Sequence, residues 1–442
     1  MLSNEIELIE KRLKAKKVEE YEIFYIERQI YETHFLKNAL DTQRKTFEND
    51  YVLRILNQKG ENTGIGVIKS NSLDENIIDH NIDNGISLSK INISSKYRFP
   101  EQREYPKLNL AEKELIKDPI DMRNTLSQKL KSEIDNIDNV VPTFGRFRIH
   151  IDHAYLKNTN GINTNSLKTY FFIEFAVKSS KNGKLAEYWD VDYIKNKAQL
   201  NFKDRVKNWA RIAIESLNAK PPKADDKATV IFSPGILESA LNGVIGHHSL
   251  GKAHFEKLSQ FEIDQKVASD NLTVIDNGIL KGGIKSNPWD GEGSPRQKSV
   301  IIDGGTFKKR LYDERYAILD DEKSTGNGVR TENGDVRNDI TNLEILPGNL
   351  SLEEMISNVK TGYHIDRCSW LRPDPRSGNF GAEIRTGYFI KDGKYQYPIK
   401  GGNISGNILE MIKNCESISK ERRYSRNVLY PYMTFNNLTI SF

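Results

Sequence analysis

Three absences narrow the possible classes of this 442-residue sequence. The only cysteines are Cys368 and Cys415, and two thiols exclude both a disulfide framework and a zinc site built from cysteines alone. Because no run of about 18 apolar residues occurs, the sequence predicts no membrane span. The first residues are charged and lack the apolar core of a signal peptide, which predicts a cytoplasmic protein.

A strong excess of one charge is also absent. The 65 basic residues outnumber the 61 acidic residues by four, whereas nucleic-acid binding requires a markedly basic surface. Nucleic acid is therefore not an expected partner. The hydrophobic fraction of 37% is sufficient for packed cores, and the length favours two or three domains.

The pattern of apolar residues predicts an α+β fold, because runs of strands are interrupted by inserted helices. Residues 1–100 are expected to form an N-terminal domain in which a helix packs on a sheet. Residues 101–220 are expected to form a middle domain of helices and strands, again with antiparallel pairing. A strand-rich C-terminal domain is predicted for residues 221–442, after a Pro-Pro pair that ends a helix.

Three local expectations matter for the later comparison with the structure. Residues 81–95 are rich in Asn, Asp and Ser and are predicted to form a loop. A helix is predicted to begin at the Ser-Pro pair at 233–234 and to continue to about residue 257. Residues 404–418 are predicted to form another helix.

Three of the eight histidines lie close together in LNGVIGHHSLGKAH, residues 241–254. Histidines on one helix suggest a metal site, but His247 and His254 would lie about 10 Å apart along the helix axis. His248 and His254 would face different directions. A zinc site built from these three would require a break in the helix, which Gly251 could supply. We favour the alternative, a group of solvated or interface-facing histidines.

Two further stretches carry residue types that occur in functional sites. Strand alternation places His150 and Asp152 on one face and His153 on the other, which favours a hydrogen-bonded strand histidine over a metal cluster. In NPWDGEGSPRQK, Trp289 and Asp290 lie among glycines and prolines. This segment is predicted either to contact a substrate or partner or to form an ordered surface loop.

Several long blocks are similar to one known family. The resemblance is carried by KPPKADDKATVIFSPGILESALNGVIG, by LSQFEIDQKVASDNLTVIDNG and most specifically by DPRSGNFGAEIRTGYFIKDGKYQYPIKGGNISGNILEMIKN. These blocks resemble the TldD/PmbA family, which is also called the modulator of DNA gyrase family. The N-terminal helix and the segment NTNSLKTYFFIEFAVKSSKNGKLAEYWD fit the same family, so the resemblance covers nearly the whole chain.

The resemblance implies a function in proteolysis. The TldD branch consists of zinc metalloproteases with an HExxxH motif and a C-terminal cysteine as the third ligand. The PmbA branch, also called TldE, lacks the metal site and pairs with TldD. Such a pair trims peptides, including precursors of modified ribosomal peptides, and degrades unfolded chains. In the family, the region corresponding to Trp289 and Asp290 contributes to the substrate groove.

The residues at the motif positions favour the PmbA/TldE branch. If His247 is the final histidine of the motif, the first histidine is replaced by Asn242 and the glutamate by Gly243. Asparagine is a poor zinc ligand, and glycine supplies no general base. The third ligand would fall at residues 424–428, where no cysteine occurs, and Cys415 comes too early. The sequence therefore predicts no catalytic residue and no metal in this chain.

Three hypotheses remain open at this stage. The first is a TldE-like, non-catalytic subunit that places an extended peptide for a TldD-like partner, which would carry the zinc. The second is a self-sufficient metallopeptidase with a remodelled histidine site. The third is a non-enzymatic scaffold or regulator. The resemblance implies a dimer, either with the TldD-like subunit or with a second copy of this chain.

Overall fold

The computed structural model of the chain describes residues 4–37 and 39–442. Its first half forms one sheet with helices on one face. The elements in chain order are α1 (Asn4–Ala15), β1 (Tyr21–Leu36), β2 (Ala39–Lys59), β3 (Asn62–Ser70), α2 (Glu75–Ile91), β4 (Ile93–Ser95), α3 (Lys113–Lys117), α4 (Pro119–Asp135), β5 (Val140–Asn158), β6 (Asn163–Lys181), β7 (Lys184–Ile194) and α5 (Phe202–Glu215).

The seven strands are antiparallel and follow the order β4-β3-β2-β1-β5-β6-β7. Side chains alternate between the two faces, so Phe147, Ile149 and Ile151 of β5 point into an apolar core covered by α3, α4 and α5. A second core lies between the same sheet and helices α1 and α2. The boundary expected near residue 100 therefore falls within one continuous hydrogen-bonded layer that carries two cores, and the division into separate domains stays a prediction.

The second half is rich in strands and short helices. Its elements are β8 (Asp225–Phe232), α6 (Pro234–Ser249), α7 (Gly251–Phe255), β9 (Val274–Asn277), β10 (Lys298–Asp303), β11 (Thr306–Phe307), α8 (Glu314–Leu319), β12 (Gly328–Arg330), β13 (Val336–Asn338), β14 (Leu343–Ile345), α9 (Leu352–Asn358), β15 (Thr361–Ser369), β16 (Asn379–Lys391), β17 (Lys394–Ile399), β18 (Asn403–Asn407), α10 (Ile408–Lys413), β19 (Cys415–Ser425) and β20 (Val428–Ser441).

Five of these strands close into a barrel. β8 pairs with β15, and the order then continues through β16 and β18 to β20, which pairs with β8 again. Helix α6 follows β8 directly and packs against β15, β19 and β20. The predicted α+β class with antiparallel sheets and a strand-rich C-terminal part is confirmed. None of the described helices is both long and apolar enough to cross a membrane.

Three local predictions from the sequence were wrong. The expected loop at 81–95 is mostly α2, because Ile78 and Ile82 recur at helical spacing and are buried despite their polar neighbours. The helix predicted over 404–418 is only α10, and strands precede and follow it. The helix predicted to reach residue 257 instead ends at Ser249, the last residue of α6, because Leu250 adopts an extended conformation before α7 begins.

The two halves meet at a buried polar contact that we call the joint, formed by Glu22, Arg54, Glu292 and Arg330. The guanidinium of Arg54 lies 3.5 Å from Glu22 and 3.6 Å from Glu292, and Arg330 pairs with Glu22 at 2.7 Å. The Tyr97 hydroxyl donates a hydrogen bond to Glu292 at 2.7 Å. These buried charges pair across the two halves, so removal of one of them would leave another buried charge without its partner.

Candidate functional site

Helix α6 carries the positions at which the sequence predicted a degraded metal motif. Asn242 is half-buried, and its Oδ1 accepts a hydrogen bond from the Tyr430 hydroxyl at 2.7 Å. Gly243 is exposed, and a Cβ built there would have no other atom within 4 Å. The position thus has space for a glutamate side chain that this chain does not carry.

His248 is fixed by two backbone hydrogen bonds. Its Nδ1 accepts from the backbone N–H of Gln260 at 3.1 Å, and its Nε2 donates to the carbonyl oxygen of Arg376 at 3.2 Å. Burial, with a smaller contribution from His247, lowers the pKa of His248 to about 4, so the ring is neutral. With one nitrogen accepting and the other protonated, His248 has no lone pair available for a metal.

His247 and His254 do not complete a metal site either. The Nε2 atom of His247 is buried without a hydrogen-bond partner, and desolvation lowers the pKa of the ring. The break at Leu250 places His254 in α7, a separate helix. The break occurs where Gly251 packs so closely on the ring of Tyr312 that a Cβ would lie 2.2 Å from it.

These residues do not fit zinc. A catalytic zinc site uses three protein ligands, and here one ring nitrogen, on His247, is available while Asn242 is engaged by Tyr430. Over residues 4–37 and 39–442, no three side chains of His, Cys, Asp or Glu are grouped as a metal site. Cys415 lies at the start of β19 rather than on a helix, and burial raises the pKa of its thiol to about 12.

His150 and Asp152 share one face of β5, opposite Ile30 and Arg28 of β1, as strand alternation predicted. The prediction of a hydrogen-bonded His150 is wrong, because the Nε2 atom of this ring is buried without a partner. The ring instead stacks on Tyr170 with centroids 4.5 Å apart, and burial lowers its pKa to about 4. A stacked, neutral histidine explains this position without a metal.

The predicted contact segment around Trp289 lies inside the chain. Trp289 is 3% exposed and packs against Leu156 and Ile162. Asp290 is 1% exposed and accepts hydrogen bonds from three backbone N–H groups, including that of Gly328 at 2.8 Å. The segment is thus a buried connection beside the joint and not a surface loop. A contact between these two residues and a substrate stays a prediction.

A cleft of about 1140 Å³ opens beside the N-terminal end of α6, between α5, β7 and the end of β15. The sequence reasoning missed its residues. Four arginines of the lining lie over aromatic rings, and one of them, Arg211, also pairs with Glu215 at 2.8 Å. Of the other three, Arg367 is 4.9 Å from the ring centroid of Trp189, and Arg372 is 5.8 Å from that of Trp370. Arg423, the third, lies 5.4 Å from the ring of Tyr432. We call Arg367, Arg372 and Arg423 the cleft arginines.

The backbone at the end of β15 directs Arg367 and Trp370 into the cleft. The pairing of β15 with β16 shifts register on both sides of Arg367, and such bulges re-aim side chains. Trp370 follows with a φ of 59° and is 78% exposed. A bulky residue with positive φ is rare, because this backbone conformation carries an energetic cost.

The cleft arginines differ from the other arginines of the cleft, because no carboxylate of the described chain lies within 4.0 Å of them. Arg205 pairs with Asp192 at 2.9 Å, and Arg426 pairs with Glu238 at 3.6 Å. Lys207 also lacks an ion pair, and so do the acidic residues Asp204 and Asp366. The unpaired charges are therefore four positive and two negative.

A Ser-His-Asp group lies at the base of the cleft, but its hydrogen bonds argue against a nucleophile. Ser233 donates to Asp366 at 2.6 Å, so it accepts from Nε2 of His364 at 2.9 Å. Nδ1 of the same ring is 2.5 Å from the Tyr395 hydroxyl, which donates to it. A protonated Nε2 cannot take the serine proton, so this group fixes β15 against the start of α6.

One local signal could have indicated the cleft. The hexapeptide RCSWLR, residues 367–372, places a tryptophan between two arginines at the end of a strand. The exposure of this hexapeptide cannot be read from the sequence. The approach of Trp189 cannot be read from it either, because Trp189 comes from β7 in the other half.

Comparison with known proteins gives one family. Residues 225–442 match the model of the PmbA/TldA metallopeptidase C-terminal domain. A metalloprotease TldD homolog of Buchnera aphidicola subsp. Acyrthosiphon pisum is 32% identical over 241 residues, which are 52% of this chain and 49% of that protein. The match thus spans about half the length of that relative. An uncharacterized protein of Methanocaldococcus jannaschii is 27% identical over 79% of this chain and 80% of its own length.

The fold also matches a solved structure. TldE from Thermococcus kodakarensis superposes with a TM-score of 0.85 over 99% of both chains, at 21% identity. At that identity the superposition establishes the fold alone.

Proposed function

Because the chain belongs to the TldD/PmbA family, we propose that it is a TldE-like subunit of a zinc metalloprotease pair and does not itself hold the zinc. In this proposal, a partner with an intact HExxxH motif cleaves the peptide. The present chain forms part of the substrate chamber and positions an extended peptide for that partner.

The observation that carries the proposal is the occupation of the motif positions on α6. Asn242 is bound to Tyr430, and Gly243 offers no carboxylate. His247 alone keeps a free ring nitrogen, and a single imidazole cannot replace three ligands. Zinc chemistry in this family also requires a base to accept a proton from the bound water, and Gly243, at the glutamate position, has no side chain to act as one.

The first test is metal content. The full chain is purified after removal of metal, incubated with zinc, desalted and analysed by elemental mass spectrometry beside an HExxxH-bearing homologue as the positive control. We expect well under one zinc per chain. One zinc per chain that is lost in His247→Ala would refute the proposal and favour the self-sufficient metallopeptidase.

The second test is assembly and activity. The chain is mixed with the HExxxH-bearing homologue, and light scattering is used to distinguish a heterodimer, a homodimer and a monomer. An obligate interface is expected to bury more than about 2,000 Å². We expect peptide cleavage by the pair and none by this chain alone. A pair that does not form, or a partner equally active without this chain, would favour a separate scaffold or regulator role.

A further inference from the structure

We propose that the cleft beside α6 binds an extended peptide segment that carries carboxylates, and that the cleft arginines select for those carboxylates. The inference rests on the proposed function for its expectation of a peptide ligand. What the inference adds is the charge of that peptide and the residues that bind its carboxylates.

The first argument is the unpaired charge. Each cleft arginine lies over an aromatic ring, a contact that favours one orientation of the planar guanidinium, and its N–H groups have no carboxylate partner among the described residues. A guanidinium held in one orientation loses little entropy when it binds a carboxylate through two hydrogen bonds. Side chains of Asp and Glu and a free C-terminal carboxylate all present this group.

The second argument is an open strand edge in the same place. β8 pairs with β15 only at Tyr363, His364 and Ile365, because β8 then ends and the chain turns into α6. β16 remains paired on the other side of β15 as far as Ser369. Within residues 4–37 and 39–442, no strand pairs with the β8-side edge beyond Ile365. An added peptide strand can hydrogen-bond to such an edge whatever its sequence.

The third argument concerns the choice between a peptide and a nucleic acid, which is also an anion. The lining contains five carboxylates, and the two of them without an ion pair, Asp204 and Asp366, would repel a continuous phosphate backbone. Because two acidic residues are unpaired beside the four unpaired cations, the cleft has only a small excess of positive charge. A peptide with one or a few carboxylates matches that excess, and Trp189 and Trp370 provide apolar contact for its other side chains.

The test measures binding by the full chain alone, with no partner. Fluorescence anisotropy is recorded with three labelled peptides of Gly and Ser that differ only in carrying Asp, Asn or Lys at the same positions. We expect the Asp peptide to bind most tightly and Arg367→Gln, Arg372→Gln and Arg423→Gln each to weaken its binding by about three- to tenfold. Arg337→Gln is the matched control, because this exposed arginine lies outside the cleft and its loss should change nothing.

Strand addition is tested with the peptide itself. N-methylation of every second backbone nitrogen should weaken binding in one register and have little effect in the other, because alternate N–H groups face the edge. All variants are first checked by circular dichroism and thermal unfolding, and a variant that unfolds is replaced by the corresponding Arg→Lys, which keeps the charge and loses the planar fork.

Several outcomes would overturn the inference: equal binding of the Asp, Asn and Lys peptides, an Asp-peptide affinity unchanged in all three variants, or tighter binding of a single-stranded oligonucleotide through the same arginines. Failure of the proposed function is distinguishable. If the chain alone binds the acidic peptide but no partner pair cleaves it, the inference stands and the subunit role falls.

Discussion

The joint and the cleft contain the same residue types in opposite circumstances. Arg54 in the joint lies over Tyr97 and Phe99, and Arg367 in the cleft lies over Tyr188 and Trp189. Arg54 is buried with carboxylates of both halves, whereas Arg367 is partly exposed without one. The difference shows that an arginine stacked on aromatic rings can stabilise a fold or remain available for a ligand, and the nearby carboxylates decide which.

The two ends of α6 differ in a similar way. At the C-terminal end, where the family motif lies, His248 has both ring nitrogens engaged and Asn242 is bound by Tyr430. At the N-terminal end, the helix opens onto the cleft and its unpaired charges. The unpaired charges near this helix therefore lie at the end away from the motif.

The largest effect is expected from removing the joint arginine. Arg54→Ala leaves Glu292 buried without a cation and Glu22 with Arg330 alone, so we expect a loss of about 3–5 kcal/mol in the free energy of unfolding. The matched change Arg367→Ala removes an arginine from a solvent-accessible cleft and should cost less than about 1 kcal/mol. Denaturant unfolding of both variants measures this, and similar losses would contradict the distinction between joint and cleft.

A pH effect is expected from Asp313, which precedes α8 near the joint. Burial and then the charge of Glu292 raise its pKa to about 8. The unfolded chain therefore releases this proton first, so stability is lost as the pH rises from about 4 towards 8. Asp313→Asn keeps the helix cap without the titration, since Asn caps as well as Asp.

We accordingly expect Asp313→Asn to gain about 1–3 kcal/mol of stability relative to the wild type between pH 5 and pH 8. The buried histidines, whose pKa values are lowered, have the opposite effect: they reduce stability as the pH falls below 6.5. Because both proteins contain them, their contribution cancels in the stability difference between the variant and the wild type. Unfolding curves at the two pH values give this quantity. A constant difference would show that Asp313 does not titrate in this range.

Added salt is expected to weaken the interactions of the cleft arginines more than those of the joint. Partly exposed charges are screened, so binding of the Asp peptide is expected to weaken by about tenfold when ionic strength rises from about 0.05 to 0.5 M. The buried pairs of Arg54 are screened much less, and the free energy of unfolding attributed to Arg54, measured against Arg54→Ala, should change little. Peptide binding that is insensitive to salt would indicate that apolar contacts, and not the cleft arginines, hold the ligand.

The smallest effect is expected at the motif histidine. In the pair with an HExxxH-bearing partner, His247→Gln should leave the rate of peptide cleavage within about threefold, because this ring has no chemical role in the proposal. An acid–base residue would cost roughly a hundredfold or more. Light scattering must first establish that the dimer is intact. A hundredfold loss with an intact dimer would make His247 a working residue.

Much of the fold could be predicted from the sequence, since burial follows the periodicity of apolar residues. The strands of the first sheet, the start of α6 at Ser233 and the opposite faces of His150 and His153 all follow from local pattern. Helix α2 was missed because its many Asn, Asp and Ser residues masked Ile78 and Ile82. The break at Leu250 was missed as a boundary because Leu250 forms a β-bridge with Leu311, which is distant in sequence.

The sequence by itself determined the residue types available for chemistry: Asn242 and Gly243 at the motif positions, no cysteine at 424–428 and a nearly balanced net charge. These facts need no coordinates, because they are residue identities, which folding does not change. Only the tertiary structure decided which charges are paired. Arg54 meets Glu292 from the other half, whereas Arg367 meets Trp189 and no carboxylate, and such pairing depends on distances of a few ångströms between residues far apart in the chain.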